Sequence, residues 1–330
     1  MSAANTGIKG KDYVDILDGT VTVTASQDGI KATNDSDGNR GWVRLSGGIV
    51  NISAGDDGFK AERVVEISGG TLNITQANEG IEVQYINILD GTVNVTSSDD
   101  GINASYSTTT TTDSTTATST NQSAQNRQNS APQVPSGSAG QASAGGQAPS
   151  GTMGQPQAGG GMGGGGTFEV VDATINISGG TVTVNANGDG IDSNGTATFS
   201  GGTLIVNGPF TGGNASLDTN GDLLLNGTTV TAANSGDMFE APSTNSTSGY
   251  VKISNVSNLS SGTTVQVTDS SGNVVANYKV TNSSTALILV SRSKITKGES
   301  CTVYTTTDSV DASSTTLASN ATSLGSFTAS

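Results

Sequence analysis

Histidine is absent from this 330-residue sequence, and cysteine occurs once. Without an imidazole there can be no His-ligated zinc site, no Ser-His-Asp triad and no Cys-His nucleophile. The single thiol, Cys301, has no second cysteine with which to form an internal disulfide. We therefore expect Cys301 to fill a strand position in the C-terminal region rather than to act as a nucleophile.

Basic residues are also scarce, because 13 Lys and Arg stand against 28 Asp and Glu, a formal charge of −15. Such a chain repels nucleic acid, whereas cations and neutral polymers remain possible partners. No apolar run reaches the roughly 18 residues of a membrane-spanning helix, so we expect no membrane insertion, and no signal peptide precedes the first strand pattern. The low cysteine content and the many Ser, Thr and Asn residues suit a secreted or cell-surface bacterial protein.

Large apolar side chains are few as well. Aromatic residues make up 4% of the chain and charged residues 12%, while glycine occurs 46 times. A two-layer core needs more apolar bulk than this, but a solenoid buries only a narrow apolar column. The composition therefore favours a repeat architecture.

Internal repetition shows first in a glycine that follows a polar or acidic residue and precedes Ile or Phe. The glycines at positions 7, 29, 58, 80 and 101 are 22, 29, 22 and 21 residues apart. An insertion at 35–40 explains the longer interval, and the pattern returns at Gly190. The underlying period is about 22 residues.

A second pattern, SGG or LDG followed by a short alternating run, is in phase with the first. In TVTVT, Val21 and Val23 point one way and the threonines the other, which is typical of a half-buried strand. A similar run precedes each SGG or LDG, and a third follows each turn glycine. Three short strands per period predict an all-β fold, a right-handed parallel β-helix whose equivalent residues stack at the strand spacing.

Two regions break the pattern. Residues 105–166 are rich in Thr, Ser, Gln, Pro and Gly and have almost no apolar side chains, so we predict a disordered insertion between β-helix coils at 1–104 and 167–241. From 242 to 330, alternating segments around turns such as Ser271-Gly272-Asn273 predict a small antiparallel β cap or module. Such a cap covers strand edges that an open solenoid end exposes.

When coils stack, residues at the same offset form a column. The residue before the turn glycine is acidic in five of the turns. Carboxylates about 4.8 Å apart repel by roughly 3 kcal/mol at an effective dielectric near 20. A hard cation relieves this repulsion, so we predict Ca²⁺ as a cofactor; the alternative is that the acids only accept hydrogen bonds from turn amides. The candidate metal ligands are Asp28, Asp56, Asp57, Glu79, Glu82, Asp99, Asp100, Asp189 and Asp192.

The metal is expected mainly from Glu79 onward. Lys31 and Lys60, two residues after the turn glycine, are expected to neutralise the earlier acids where no metal lies. The insertion at 34–39 has the alternating oxygen side chains of a calcium loop but lacks the distant Glu of a full EF-hand, which makes it a weaker candidate.

Another column combines aromatic and polar side chains on an outward face. Tyr13, Trp42 and Tyr85 share one strand position, and Arg44 and Asn87 stand two residues further along the same face. Sugars stack their apolar faces on aromatic rings and hydrogen bond through their hydroxyls, so we predict these five residues as a carbohydrate-binding surface. The alternative is ordinary packing between exposed neighbours.

Taken together, these segments resemble secreted bacterial carbohydrate-binding-domain proteins with a calcium-binding right-handed β-helix similar to pectate lyases. The resemblance rests on SGGTxxI and DDGIxA segments, EGIE at 79–82, GMGGGG, the stretch 188–209, and a tail with TDSSGNVVANYKV and KGESCTVY. It implies binding of plant-wall polysaccharide such as cellulose and acidic pectin, Ca²⁺ at the corners and no established hydrolase role. Lys60 stands where such proteins often have His.

We therefore interpret the chain as a non-catalytic, calcium-stabilised polysaccharide-binding protein of the bacterial surface or secretome. A calcium-dependent pectate-type lyase stays open, because Lys31, Lys60 and Arg63 lie near acids and a lyase needs a Lys or Arg base beside its metal. A structural adhesion or matrix protein is the third possibility. No oligomeric state is predicted.

Overall fold

The computed structural model describes residues 1–106, 169–210, 212–254 and 259–330. These parts of the chain are built from β-strands without helices, which confirms the all-β prediction. Within them, no helix has the length and apolarity needed to cross a membrane. Apart from its first two residues, the predicted insertion at 105–166 lies outside the described ranges, and its disorder stays a prediction.

The strands fall on either side of this insertion. Before it lie β1 (Ser2–Ala3), β2 (Ile8–Gly10), β3 (Tyr13–Ile16), β4 (Thr20–Ala25), β5 (Ile30–Ala32), β6 (Trp42–Leu45), β7 (Ile49–Ser53), β8 (Phe59–Ala61), β9 (Val64–Gln76), β10 (Ile81–Val83), β11 (Tyr85–Thr96) and β12 (Ile102–Ala104). After it lie β13 (Thr174–Ile177), β14 (Thr181–Asn185), β15 (Ile191–Ser193), β16 (Thr196–Phe199), β17 (Thr203–Asn207), β18 (Leu217–Thr219), β19 (Leu223–Leu225), β20 (Thr229–Asn234), β21 (Tyr250–Ile253), β22 (Thr264–Thr268), β23 (Val274–Lys279), β24 (Leu287–Ser291), β25 (Ser300–Thr306) and β26 (Thr322–Thr328).

Two sheets with long rows of parallel strands extend as far as β20. The seven-stranded sheet has the order β18-β15-β12-β10-β8-β5-β2, and the fifteen-stranded sheet contains the row β4-β7-β9-β11-β14-β17-β20. Ile30 pairs with Phe59, so the extra residues at 35–40 are looped out between paired strands. The pairing agrees with the predicted stacking of equivalent residues, whereas the right-handed β-helical winding stays a prediction.

Alternation within each strand builds the core. In β6 and β7, Val43, Leu45, Val50 and Ile52 are at most 1% exposed, while the residues between them reach solvent. Burial of each aliphatic side chain stabilises the fold by about 1.5–3 kcal/mol, and each further strand adds its own buried side chains. The core between the parallel strands is therefore one continuous apolar column.

Outward-facing amides form ladders between the same strands. Asn73 Nδ2 donates to Asn51 Oδ1 at 2.9 Å, and Asn94 Nδ2 donates to Asn73 Oδ1 at 2.8 Å. Because the three residues are paired directly in register, each amide has its acceptor at hand. The ladder reinforces the register that the core selects.

Pairing becomes antiparallel beyond β20. β24 pairs with both β20 and β21, and a separate antiparallel sheet has the order β23-β22-β25-β26. Cys301 lies in β25 and is fully buried beside Val267 and Val303 in the core of this sheet. The hydroxyl of Tyr278 donates to Asn207 Oδ1 at 2.8 Å, which ties β23 to β17. The predicted boundary of a C-terminal cap at 242 stays a prediction.

The turn glycines allow the close approach of successive strands. A Cβ added to Gly101 would overlap with Val184 Cγ1 and with the carbonyl oxygen of Gly190. We expect Gly101→Ala to lower the free energy of unfolding by about 1–3 kcal/mol, as overpacking does, in urea denaturation followed by circular dichroism. The control Gly213→Ala should change little, because its Cβ would meet only Met238 Sδ at 3.9 Å. Equal effects at both sites would contradict this account of the turn.

Candidate functional site

The middle residue of each strand in the seven-stranded sheet faces away from the core, and its charge changes along the sheet. Burial supports this orientation, because the flanking residues of β5, β8, β10 and β15 are buried and the middle residue is partly exposed. From β2 to β18 these residues are Lys9, Lys31, Lys60, Glu82, Asn103, Asp192 and Asp218, each paired with the next. The sheet therefore has a basic end and an acidic end.

A second column runs beside the first, at the residue before each turn glycine. The glycine N–H holds the turns in register: Gly58 N donates to the carbonyl oxygen of Glu79 at 3.0 Å, and Gly80 N to that of Asp100 at 3.1 Å. The residues before the glycines of successive turns therefore stack one strand spacing apart. The column contains Asp28, Asp57, Glu79, Asp100 and Asp189.

Lysines neutralise the basic end. Lys31 Nζ lies 3.0 Å from Asp28 Oδ2, and Lys60 Nζ lies 2.7 Å from Asp57 Oδ2. Lys60 also pairs with Glu82 of the neighbouring strand. Asp28 and Asp57 have side chains only 5% and 3% exposed, so these ion pairs are shielded from water.

The carboxylate groups that best match metal geometry lie at this same end. Among the described residues, ligand oxygens come within 4.8 Å of one another in two groups: Asp28 with Asp56 and Asp57, and Asp57 with Glu79 and Glu82. The sequence predicts the metal mainly from Glu79 onward, whereas the tighter groups adjoin the lysines. Ion pairing explains this, because an ammonium draws carboxylates together that otherwise repel.

Among the described residues, the acidic end has no such partner. In the ranges 1–106 and 169–210, no ion pair with Lys or Arg reaches Asp99, Asp100, Asp189 or Asp192. Burial and then repulsion from neighbouring carboxylates raise the pKa of Asp192 to about 8. Burial likewise raises the pKa of Asp189 to about 7 and that of Asp100 to about 6. Asp99 is exposed.

Some of these acids also bond turn amides, which is the alternative role that the sequence left open. Asp100 Oδ1 accepts a hydrogen bond from the backbone N–H of Asp189 at 2.7 Å, and Asp189 Oδ1 accepts one from Ala215 N. These bonds lower the pKa of each acceptor, but burial outweighs them. One oxygen of each carboxylate thus helps to hold the stacked turns together. Amide bonding alone does not offset the free-energy cost of burying the negative charge.

Asn103 interrupts the acids with a neutral oxygen. Its Nδ2 donates to Glu79 Oε2 at 3.1 Å, while its Oδ1 is buried without a hydrogen-bond partner. Burial, followed by repulsion from Glu82, Asp57 and Asp100, raises the pKa of Glu79 to about 8. A buried carbonyl oxygen without a donor, beside carboxylates that resist ionisation, is a donor set that suits a hard cation.

Two acidic residues of this cluster were missed in the sequence. Asp218 pairs with Asp192, but its turn reads Ser216-Leu217 in place of Gly-Ile. Glu240 lies outside the repeat and reaches the cluster through Thr219, whose hydroxyl donates to Glu240 Oε1 at 2.6 Å. Burial raises the pKa of Glu240 to about 7. The segment SLDTNG, aligned with GIDSNG, was the signal for Asp218, whereas Glu240 had none.

The weaker candidate loop at 34–39 is closed by an arginine. Arg40 pairs with Asp12 and, at 3.0 Å, with Asp37. Asn34 Oδ1 accepts hydrogen bonds from Ser36 N and from Asp37 N, at 3.2 and 3.0 Å. Asn34 Oδ1 and the Asp37 carboxylate are thus engaged by donors of the chain itself.

Three of the five residues that the sequence predicts to bind carbohydrate lie together. Tyr13 and Trp42 are paired in register, and their rings stack at 4.6 Å between centroids with 9° between planes. The Arg44 guanidinium lies 4.7 Å from the centroid of Trp42 and its Nε lies 2.9 Å from Glu66 Oε1. These three side chains make one aromatic and cationic patch.

Tyr85 belongs to a separate contact. Val64 stands between Tyr85 and Trp42 in the column. The Tyr85 hydroxyl donates to Asp172 Oδ2 at 2.6 Å. Asn87 Oδ1 accepts a hydrogen bond from Asn176 Nδ2 at 3.1 Å. Tyr85 and Asn87 are therefore engaged within the protein.

Register stacking also decides which ring surfaces remain accessible. Trp42 is contacted by Tyr13 and Arg44, whereas Tyr13 is 56% exposed. Aromatic faces bind the apolar faces of sugars, so Tyr13 offers the best stacking surface of the patch.

Residues 1–84 match the family model of carbohydrate-binding domain-containing proteins. This match supports carbohydrate binding and contains Tyr13, Trp42 and Arg44. No curated protein and no solved structure matches the chain.

The acidic end makes stability depend on pH in a definite direction. Because the folded-state pKa of Asp192 is raised to about 8, its contribution is fully present below the ordinary pKa of about 4 and is lost as the pH rises through about 8. In a chelating buffer we expect the free energy of unfolding to fall between pH 5 and pH 8, as measured by urea denaturation.

Asp192→Asn should flatten this fall. The control Asp90→Asn should keep it, because Asp90 is exposed and the new amide oxygen can still accept the Gly91 N–H. A free energy of unfolding that rises across the same range in chelator would contradict the prediction.

Proposed function

We propose that the chain is a non-catalytic, calcium-stabilised polysaccharide-binding protein of the bacterial surface or secretome, with its parallel sheets wound as a right-handed β-helix. The family match over residues 1–84 is the observation that carries the binding function. Cellulose and acidic pectin-type glycans are the proposed ligands. Calcium has a structural role and takes part in no reaction.

The binding surface is the patch formed by Tyr13, Trp42 and Arg44. The exposed ring of Tyr13 supplies the apolar face for a pyranose, and the Arg44 guanidinium supplies donors for ring hydroxyls or for a uronate carboxylate. The exposed ring of Tyr13 suits one side of an extended polymer. Sequence places all three residues in the matched region.

Net charge separates the two classes of glycan. A chain with a formal charge of −15 repels a polyuronate over the range of the Debye length, but it does not repel cellulose. Acidic glycan therefore needs cations at the protein surface, whereas neutral glycan needs only the aromatic patch. Calcium at the acidic end would reduce this repulsion.

The residues at the acidic end fit a calcium ion. Asp100, Asp189 and Asp192 supply carboxylate oxygens that no Lys or Arg pairs with in the described parts of the chain. When bound, the ion neutralises carboxylates that burial otherwise keeps partly protonated near neutral pH. The protein itself holds the ligands by the register of β12 and β15. Asp218 and Glu240 extend the same acidic surface.

The lysines near these acids are engaged in ion pairs. A lyase needs a basic side chain that can accept a proton from substrate, but Lys31 is paired with Asp28, and Lys60 with Asp57 and Glu82. Asp57 and Glu82 raise the pKa of Lys60, which therefore keeps its proton more firmly. This arrangement favours a binding role over the lyase alternative.

Calcium should stabilise the folded protein. A ligand present at about 100 times its Kd contributes ~2.7 kcal/mol, so saturating Ca²⁺ should raise Tm by about 5 °C over chelator at pH 7.5 in differential scanning calorimetry. Asp192→Asn should reduce the shift and Asp90→Asn should preserve it. An unchanged Tm of the wild-type protein would count against calcium at any of the proposed ligands.

Polysaccharide binding can be measured by sedimentation with insoluble cellulose and by affinity electrophoresis in polygalacturonate. Replacing both rings, Tyr13→Ala with Trp42→Ala, should weaken binding to cellulose at least fivefold, equivalent to ~1 kcal/mol. Both are replaced because removal of Tyr13 alone uncovers Trp42. Leu17→Ala is the control, since Leu17 is 69% exposed and lies outside the patch. Binding to polygalacturonate should in addition require Ca²⁺.

If the double variant binds as well as the wild type, the glycan surface lies elsewhere. Failure of the wild-type protein to bind either polymer would remove the proposed function and favour a structural adhesion or matrix role.

A further inference from the structure

Lys60 holds carboxylates from two neighbouring strands. Its Nζ lies 2.7 Å from Asp57 Oδ2 and also pairs with Glu82. A lysine ammonium is charged across the physiological pH range, so both contacts are ion pairs there.

The carboxylates around this ammonium also have the geometry of divalent-cation ligands. One oxygen each of Asp57, Glu79 and Glu82 lies within 4.8 Å of the others. Two oxygens bound to the same Ca²⁺ at its usual distances are at most about 5 Å apart. The group therefore needs little rearrangement to surround an ion.

Asn103 points independently to a ligand at this place. It pairs with Glu82 in register and its Nδ2 is hydrogen bonded to Glu79, so its amide lies beside the carboxylates. Asn103 is 8% exposed, and its Oδ1 has no hydrogen-bond partner. A buried carbonyl oxygen without a donor commonly marks a position for an ion or water.

Lys60 is also the last basic residue of its column. Beyond it the middle residues are Glu82, Asn103, Asp192 and Asp218. In the described parts of the chain, no Lys or Arg pairs with Asp192 or Asp218.

We propose that Lys60 is a built-in counter-cation that blocks a divalent-cation site formed by Asp57, Glu79, Glu82 and Asn103. Lys60 thereby sets the limit of cation binding at the basic end of the sheet. The inference rests on the proposed function only in taking Ca²⁺ as the ion.

The test is the number of calcium ions bound by the full chain, measured by isothermal titration calorimetry and by equilibrium dialysis. Lys60→Met removes the ammonium and adds no oxygen, and this variant should bind one more Ca²⁺ than the wild type. Lys60→Gln should do the same. Lys9→Met is the matched control, because Lys9 is an exposed lysine of the same column, and it should bind the wild-type number. Glu82→Gln in the Lys60→Met background should abolish the added ion.

Folding of the variants gives a second measurement. If Lys60→Met is unfolded in chelator, Ca²⁺ should restore the wild-type circular dichroism spectrum. The proposal is overturned if both Lys60 variants bind the wild-type number of ions, or if both stay unfolded in saturating Ca²⁺. A wild-type protein that binds no Ca²⁺ contradicts the proposed function alone, because this inference is judged on the difference between variant and wild type.

Discussion

Parallel pairing in register places each side chain one strand spacing from its equivalents, and the rest of the molecule depends on this constraint. Apolar residues such as Val50 and Leu72 gain from it, because they form a continuous core. Asparagines also gain, since each amide donates to the next, and the rings of Tyr13 and Trp42 stack. Carboxylates are the exception, because like charges held at this distance repel.

The chain deals with that repulsion differently at the two ends of one sheet. At the basic end, the ammonium groups of Lys31 and Lys60 lie within the acidic column and neutralise it from inside the protein. At the acidic end, no Lys or Arg of the described residues pairs with Asp189 or Asp192, so burial and repulsion between carboxylates move their pKa values toward neutrality. One end thus has cations of its own beside the acids, whereas we propose that the other takes them from the surrounding solution.

The sequence was most informative where one residue type recurs in the same strand position. The adjacency of Tyr13 and Trp42 and the row of acids before the turn glycines both follow from spacing alone. Asp218 was missed because its turn has lost the glycine that defined the alignment. Glu240 was missed for a different reason: its contact with Thr219 arises from tertiary packing beyond the last parallel strand. Nor does spacing reveal whether a ring is already covered, as Trp42 is.

The junction of β12 and β15 has a consequence for how such a chain can change during evolution. Ile102 pairs directly with Ile191, and Ala104 with Ser193, although 89 positions separate each pair. The intervening polypeptide leaves and returns at neighbouring points, and Asp172 is held on the return by Gln84 and Tyr85. Closing a longer excursion costs only about 0.6 kcal/mol per doubling of its length. During evolution, this junction can therefore accept insertions of very different length and composition without any change in the strands that flank it.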